Sequence, residues 1–383
     1  MPGKRVVVLG GGFGGAMAAR TARALMPAEH DVTLIDRNRQ THLCGANPLL
    51  IVGQRDSAGV GRSLGRLANF GVKFVQAGIT RIDTAGQKVQ SDAGTFEYDF
   101  LVVALGATYN WDGVPNSRAA FSFYDLASAR RLRTRLNRIK RGRIAIAVSG
   151  APIKCPPAPF ETAMILNWEI RRRGIRRNID LSVFIPEPAP LGVAGPEASQ
   201  RLRVELDKRG IELITNAGLK EVSANGREAQ LSNGTSVSAD VLITVPLHTV
   251  PSVVAQSGIT GGKPWVPVDP ETMETTVENV FAIGDVNVVP FAEGRMLPKA
   301  GVFASGEGEN VGRRIASRVL GTEPPAAYDG SGKCYLAFSG TQSGTVGGTF
   351  LAQSGPQIAL DPPTAAGMRS KVRFERDWKR FRV

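Results

Sequence analysis

The stretch Arg5 to Ala16, R-V-V-V-L-G-G-G-F-G-G-A, constrains the fold more than any other part of the chain. Arg5 to Leu9 is a short apolar, β-branched run, the pattern of a buried parallel strand. Gly10, Gly12 and Gly15 follow at G-x-G-x-x-G spacing, and a helix-compatible run extends from Ala16 to about Leu25. Gly10 permits a tight strand-to-helix turn, Gly12 lets a pyrophosphate approach the backbone, and Gly15 lets helix and strand pack closely. The helix N-terminus offers free N–H groups and the positive end of its dipole. A second strand, His30 to Ile35, ends at Asp36, which lies 21 residues past Gly15, where a ribose-binding acid is expected. The unit predicts a dinucleotide site. It does not separate a flavin from a nicotinamide dinucleotide.

The chain has 383 residues, room for two to three domains. No run of about 18 apolar residues exists, so no transmembrane helix is expected. Cys44, Cys155 and Cys334 lack the close pairing of a zinc site, and with only three histidines no metal site is expected. The net charge of +13 is clustered: Arg130 to Arg143, Arg171 to Arg177, and Arg369 to Arg382. Such clusters are solvated helix faces, or they attract an acidic protein or an anionic membrane. Nucleic acid does not fit, because no reader motif is present and aromatics are not interleaved with the bases.

Further along, Val72 to Ala77 reads as a strand and Ile79 to Phe96 as a hairpin excursion. Asp99 to Ala104 is an apolar strand ending in A-L-G-A, and Asn110 to Pro115 reads as linker. A second alternation of strands and helices runs to Val245, with a meander across Asn225-Gly226 and Asn233-Gly234. The chain then returns through V-F-A-I-G-D, ending in Gly284 and Asp285, and a helix region at Lys299 to Val311. A Gly/Ser-rich, finally basic tail follows. The expectation is an α/β protein with two doubly wound, dinucleotide-binding-type domains of the disulfide-reductase-like flavoprotein kind and a small C-terminal domain. The expected boundaries are 1–115 with 246–323, then 116–245, then 324–383. Ala77, Ala104 and Gly106 are expected to contact the cofactor beside Gly10, Gly12, Gly15 and Asp36.

The second α/β unit lacks a phosphate loop. After Val148 the chain reads V-S-G-A-P-I-K-C-P-P-A-P-F-E, with Gly150 as its one glycine. Pro152, Pro156, Pro157 and Pro159 remove N–H donors and fix φ. Such a segment cannot cradle a pyrophosphate, so the first site is assigned to FAD and the electron donor is not NAD(P)H. The loop instead sets Cys155 on a rigid turn before a helix.

C-P-P-A-P-F-E at Cys155 to Glu161, Gly284-Asp285, L-P-K-A-G at Leu297 to Gly301 and K-C-Y at Lys333 to Tyr335 together resemble the sulfide-oxidising flavoproteins. These comprise sulfide:quinone oxidoreductases and the flavoprotein subunit of flavocytochrome c sulfide dehydrogenase. The three-cysteine layout resembles the flavocytochrome branch. The resemblance implies a redox-active Cys155–Cys334 disulfide attacked by sulfide, and FAD carried covalently by Cys44. It also implies Glu161 as acid/base, Asp285 on the ribityl chain, and Lys299 as positive charge near the reduced flavin. Electrons would pass to a c-type cytochrome subunit, with a membrane-associated quinone as the alternative acceptor. A non-catalytic flavin-binding redox sensor is the reading of another class. The implied location is periplasmic, with a leader removed, or peripheral on a membrane; Phe374, Trp378 and Phe381 among the C-terminal bases suit the latter.

The proline-rich loop yields a first prediction. Purified, yellow protein mixed anaerobically with NADH should keep its flavin absorbance on the timescale of turnover; rapid bleaching would restore NAD(P)H as the donor.

Overall fold

The computed structural model describes residues 3–383. Its first sheet is wholly parallel, in the spatial order Val280–Ala282, Phe100–Val103, Arg5–Leu9, Asp31–Asp36, Lys73–Gln76. The opening strand is central because it is apolar on both faces: Val6, Val7, Val8 and Leu9 are all buried. The second sheet is also parallel, ordered Glu212–Ile214, Ile179–Phe184, Gly142–Val148, Val241–Val245. The chain therefore adopts the α/β architecture with two parallel, doubly wound sheets.

Between the first strand and its neighbour runs the helix Phe13–Leu25, which buries Gly14, Gly15, Ala16, Ala18, Ala19 and Ala22. That small-residue face allows close packing on the helix Gly301–Leu320. A Cβ on Gly308 would stand 2.3 Å from the Gly14 carbonyl oxygen, so only glycine admits this approach. The last helix-forming segment of the first unit is thus locked to its first.

Several local expectations are corrected. Ile79 to Phe96 is a three-stranded antiparallel meander, not a simple hairpin. The expected linker begins inside a strand: Thr108–Asn110 pairs antiparallel with Leu247–Thr249 where the chain leaves and returns. The C-terminal segment forms a three-stranded antiparallel sheet, Ser331–Ala337, Ser343–Thr349 and Gln357–Leu360, followed by the amphipathic helix Ala365–Lys379. Glycines crowd that sheet where strands nearly touch; a Cβ on Gly344 would lie 2.2 Å from the Asp361 carbonyl oxygen.

The aromatics of this last segment do not face outward. Trp378 and Phe381 are buried and Phe374 is half-buried, stacked on Phe13 at 6.2 Å between ring centroids. Among the residues the helix exposes are Arg369, Val372, Arg373 and Arg376. Among the described residues, no helix is long and apolar enough to cross a membrane.

Candidate functional site

The glycine-rich turn divides its labour among three residues. Gly10 has φ +98°, and a Cβ there would meet the Ala104 carbonyl oxygen at 2.4 Å. A Cβ on Gly15 would fall 1.9 Å from the Gly10 carbonyl oxygen, so helix and strand are in backbone contact. Gly12 differs: no neighbouring atom lies within 4 Å of its Cβ position, which leaves open space at the helix N-terminus. Gly106, at φ +67°, opens on similar free space. Asp36 accepts the Gly11 N–H through Oδ2 at 2.8 Å and the Asn38 N–H through Oδ1 at 2.7 Å. Ala77 donates its N–H to the Asp36 carbonyl at 2.9 Å, and Ala104 to that of Leu9 at 2.8 Å. Gly10, Gly12, Gly15, Asp36, Ala77, Ala104 and Gly106 thus gather at the carboxyl edge of the first sheet, the crevice where such folds hold a dinucleotide. The open positions at Gly12 and Gly106 fit one.

The Gly284-Asp285 turn reaches the same region on a buried polar frame. Gly284, at φ +75°, donates its N–H to Glu307 Oε2 at 2.5 Å, and Asn287 Nδ2 donates to the same oxygen at 3.0 Å. Lys299 Nζ donates to the carbonyls of Asp285 and Asn287 at 2.8 and 2.7 Å and lies 3.6 Å from the Trp265 ring centroid. Lys299 is therefore no surface lysine. Burial drives its ammonium down to about 8, with Asp285 and Glu307 opposing. Burial likewise pushes the Glu307 carboxyl up to about 8. The Asp285 carboxyl is raised by burial, against the pull of Lys154 and Lys299.

All three cysteines meet at one cavity of about 70 Å³, although 179 residues separate Cys155 from Cys334. Its walls include Phe13, Cys44, Glu161, Gly301, Tyr335 and Lys371. None of the cysteines is disulfide-bonded in this structure. Cys155 sits at φ +54°, a left-handed conformation that costs a non-glycine residue free energy. Its N–H is held by the Lys299 carbonyl at 2.6 Å, and the helix Ala158–Arg172 starts just beyond, with Pro159 in its first turn. Glu161 accepts the Ala337 N–H at 3.0 Å and pairs with Lys371 Nζ at 3.4 Å, both side chains buried. Burial raises the Glu161 carboxyl despite Lys371. It also raises the Cys155 thiol well above its usual range and that of Cys334 to about 12, Lys371 being the cation that opposes both shifts. Cys44, exposed, begins the turn Cys44–Ala46 at the cavity mouth.

A second cavity, of about 240 Å³, opens on the far side of the Cys155 turn. Val148, Ile153, Pro156, Phe160, Leu191 and Lys299 are among its walls. The prolines there leave it without a row of amide donors.

Residues 4–308 match the family model described as pyridine nucleotide-disulphide oxidoreductase. The chain belongs to that family. It is 28% identical over 306 residues to the sulfide-quinone reductase of Aquifex aeolicus, covering 77% of this chain and 71% of that protein. With the mitochondrial sulfide:quinone oxidoreductase of Mus musculus it shares 22% identity over 345 residues, 86% of this chain and 75% of the other. The solved structure of the Aquifex aeolicus sulfide:quinone oxidoreductase superposes with a TM-score of 0.88 at 26% identity, over 99% of this chain and 91% of that one. The resemblance to the sulfide-oxidising flavoproteins is borne out. The chain is a flavoprotein oxidoreductase, and its cofactor is FAD.

Sequence reasoning missed Lys371 and Glu307. Lys371 was absorbed into the C-terminal basic cluster. Its signal was positional: Met368, Lys371, Glu375 and Trp378 recur on one helical face, and all four are buried. Glu307 stands amid small residues on a helix face that packs inward, where an acid needs a partner.

The Glu307 shift has a consequence for stability. A carboxyl held at about 8 in the folded protein stays protonated there while the unfolded chain ionises near 4.5. Unfolding then releases a proton, so stability falls as pH rises from 4.5 towards 8. Glu307→Gln keeps an acceptor oxygen for Gly284 and Asn287 and should flatten that decline, measured by urea unfolding across this range. An unchanged slope would show that Glu307 is ionised when folded.

Proposed function

We propose that this flavoprotein oxidises sulfide at the Cys155–Cys334 pair and reduces a quinone. The observation that carries the reading is the convergence of Cys155, Cys334 and Glu161 on one cavity beside the Gly284-Asp285 turn. The two relatives named for quinone reduction favour quinone over the c-type cytochrome that the three-cysteine layout suggested.

Gly10, Gly12, Gly15, Asp36, Ala104, Gly106, Gly284 and Asp285 would hold FAD, with Ala77 at the rim. When bound, FAD stores the two electrons that leave the cysteine pair. The protein's own part starts with the disulfide form. Hydrosulfide attacks one sulfur; the S–S bond breaks, leaving a persulfide on one cysteine and a thiolate on the other. A second hydrosulfide takes the outer sulfur as hydrogen disulfide and frees the second thiolate. The two thiolates re-form the S–S bond and give up two electrons, and the quinone leaves as quinol after taking up two electrons and two protons. Two hydrogen sulfides and one quinone thus yield one hydrogen disulfide and one quinol. Glu161, whose carboxyl burial raises, serves proton transfer at the cysteine sulfurs, and Lys371 supplies the positive charge that favours their thiolates. The aromatic wall of Phe13, Tyr335 and Phe374 suits an apolar quinone ring. Exposed Arg369, Arg373 and Arg376 on the helix bearing Phe374 suit an anionic lipid surface at the same end.

Cys155→Ser and Cys334→Ser should each retain FAD yet lose flavin bleaching by sulfide by about a hundredfold or more, as for removal of a nucleophile. Wild type should reduce a soluble ubiquinone analogue faster than cytochrome c. Retained bleaching in either variant would overturn the disulfide mechanism, and preferential, salt-sensitive cytochrome reduction would restore the cytochrome acceptor.

Cys44 remains our candidate for a thioether to the flavin, supported by its place at the cavity mouth. Acid-precipitated protein should stay yellow and Cys44→Ser should release FAD on the same treatment; free FAD from wild type would show non-covalent binding.

A further inference from the structure

Arg62, on the strand Gly61–Ser63, is 4% exposed. Nη2 donates to the Gly12 carbonyl at 3.0 Å and Nη1 to the Trp378 carbonyl at 2.8 Å. Its guanidinium lies between two rings of the C-terminal segment, 4.4 Å from Trp378 and 4.2 Å from Phe381. Among the described residues, no carboxylate comes within ion-pair distance of it. Its Nε is buried with no hydrogen-bond partner. Burial, with Arg20 adding repulsion, lowers it to about 9, the signature of a cation short of counter-charge.

Burying an unpaired charge is costly, and stacking on two rings offsets only part of it. The charge lies at the N-cap of Phe13–Leu25, a thirteen-residue helix with no acid in its first turn. The helix end faces open space at Gly12, and the buried guanidinium stands directly behind it on the Gly12 carbonyl, so two positive features lie close to that space. An anion there relieves both.

We propose that Arg62 is the counter-charge of the FAD pyrophosphate and the latch that couples cofactor binding to docking of the C-terminal helix. One side of the guanidinium holds the glycine loop, and the other holds Trp378 and Phe381. The same helix contributes Lys371, Phe374 and Glu375 to the cysteine cavity. Loading the cofactor thus favours the closed wall of the reaction site, and by linkage a docked helix tightens FAD. This rests on FAD as the cofactor and is independent of whether sulfide is the substrate.

The test uses full-length protein in a Cys44→Ser background, which keeps FAD exchangeable. Arg62→Met should weaken FAD about tenfold, as for loss of a nearby buried counter-charge. Arg62→Lys keeps the charge without the planar fork that stacks on two rings, and should weaken FAD clearly less than Arg62→Met does. FAD should slow tryptic cleavage at Arg369, Arg373 and Arg376 in the parent and not in Arg62→Met. Trp378→Leu, with Arg62 intact, should leave the helix open to trypsin even when FAD is bound. Equal weakening by Met and Lys would reduce Arg62 to packing and overturn the counter-charge. Parental affinity in Arg62→Met would overturn it as well. Cleavage indifferent to FAD in the parent would overturn the latch.

Discussion

The arrangement of the site depends on Lys299. Its carbonyl holds the Cys155 N–H at 2.6 Å, while its ammonium holds the carbonyls of Asp285 and Asn287. One residue therefore fixes both the cysteine turn of the second parallel unit and the Gly284-Asp285 turn of the first. The left-handed backbone of Cys155 is unfavourable on its own and persists because neighbours over-determine it. The short bond to Lys299 is one constraint, and the proline-bounded start of Ala158–Arg172 is the other. A buried lysine that spends its donors on backbone carbonyls is built for position more than for charge. Burial draws its ammonium down to about 8, a desolvation cost that the two carbonyl bonds offset in part.

The C-terminal segment adds the third wall, and it does so through buried charge. Lys371 and Glu161 are both excluded from water, a pairing whose desolvation penalty rivals its attraction. Such a pair adds little to stability against an apolar alternative. Its merit is chemical: it sets a cation and a carboxyl of raised pKa beside two sulfurs whose thiolates burial alone would suppress. The Arg55–Glu375 pair at 2.7 Å and the stacking of Phe374 on Phe13 hold that helix over the same cavity. Stability is given up locally so that charge can be placed.

Much of the fold was legible because local chemistry and tertiary role coincide there. Gly10, Gly12 and Gly15 each do what their spacing implies, and the apolar strands lie where their β-branched runs place them. The convergence of Cys155 and Cys334 was reached only through a family resemblance, since no local pattern links positions so far apart in sequence. The C-terminal helix was hidden by composition. Its lysines and arginines read as one solvated cluster, yet Lys371 turns inward while Arg369 and Arg373 turn outward. Arg62 left no signal at all. A single arginine in a three-residue strand acquires meaning only when Gly12 and Trp378, 50 residues before it and 316 after, close on it.

The second parallel unit keeps a dinucleotide-binding-type architecture with a different turn after its first strand. Gly142–Val148 and Ile179–Phe184 pair in the parallel register of a nucleotide-binding half, and Glu187 follows the second strand, close to where a ribose-binding acid would stand. The crevice between them is present, at about 240 Å³. What is missing is the row of amides. Pro152, Pro156 and Pro159 line that crevice and contribute no N–H, so this turn offers a pyrophosphate no run of amide donors. Burial raises the Glu187 carboxyl. The segment that puts Cys155 in place thus sets prolines where a nucleotide-binding turn sets amides, and one loop shapes both the crevice and the cysteine turn.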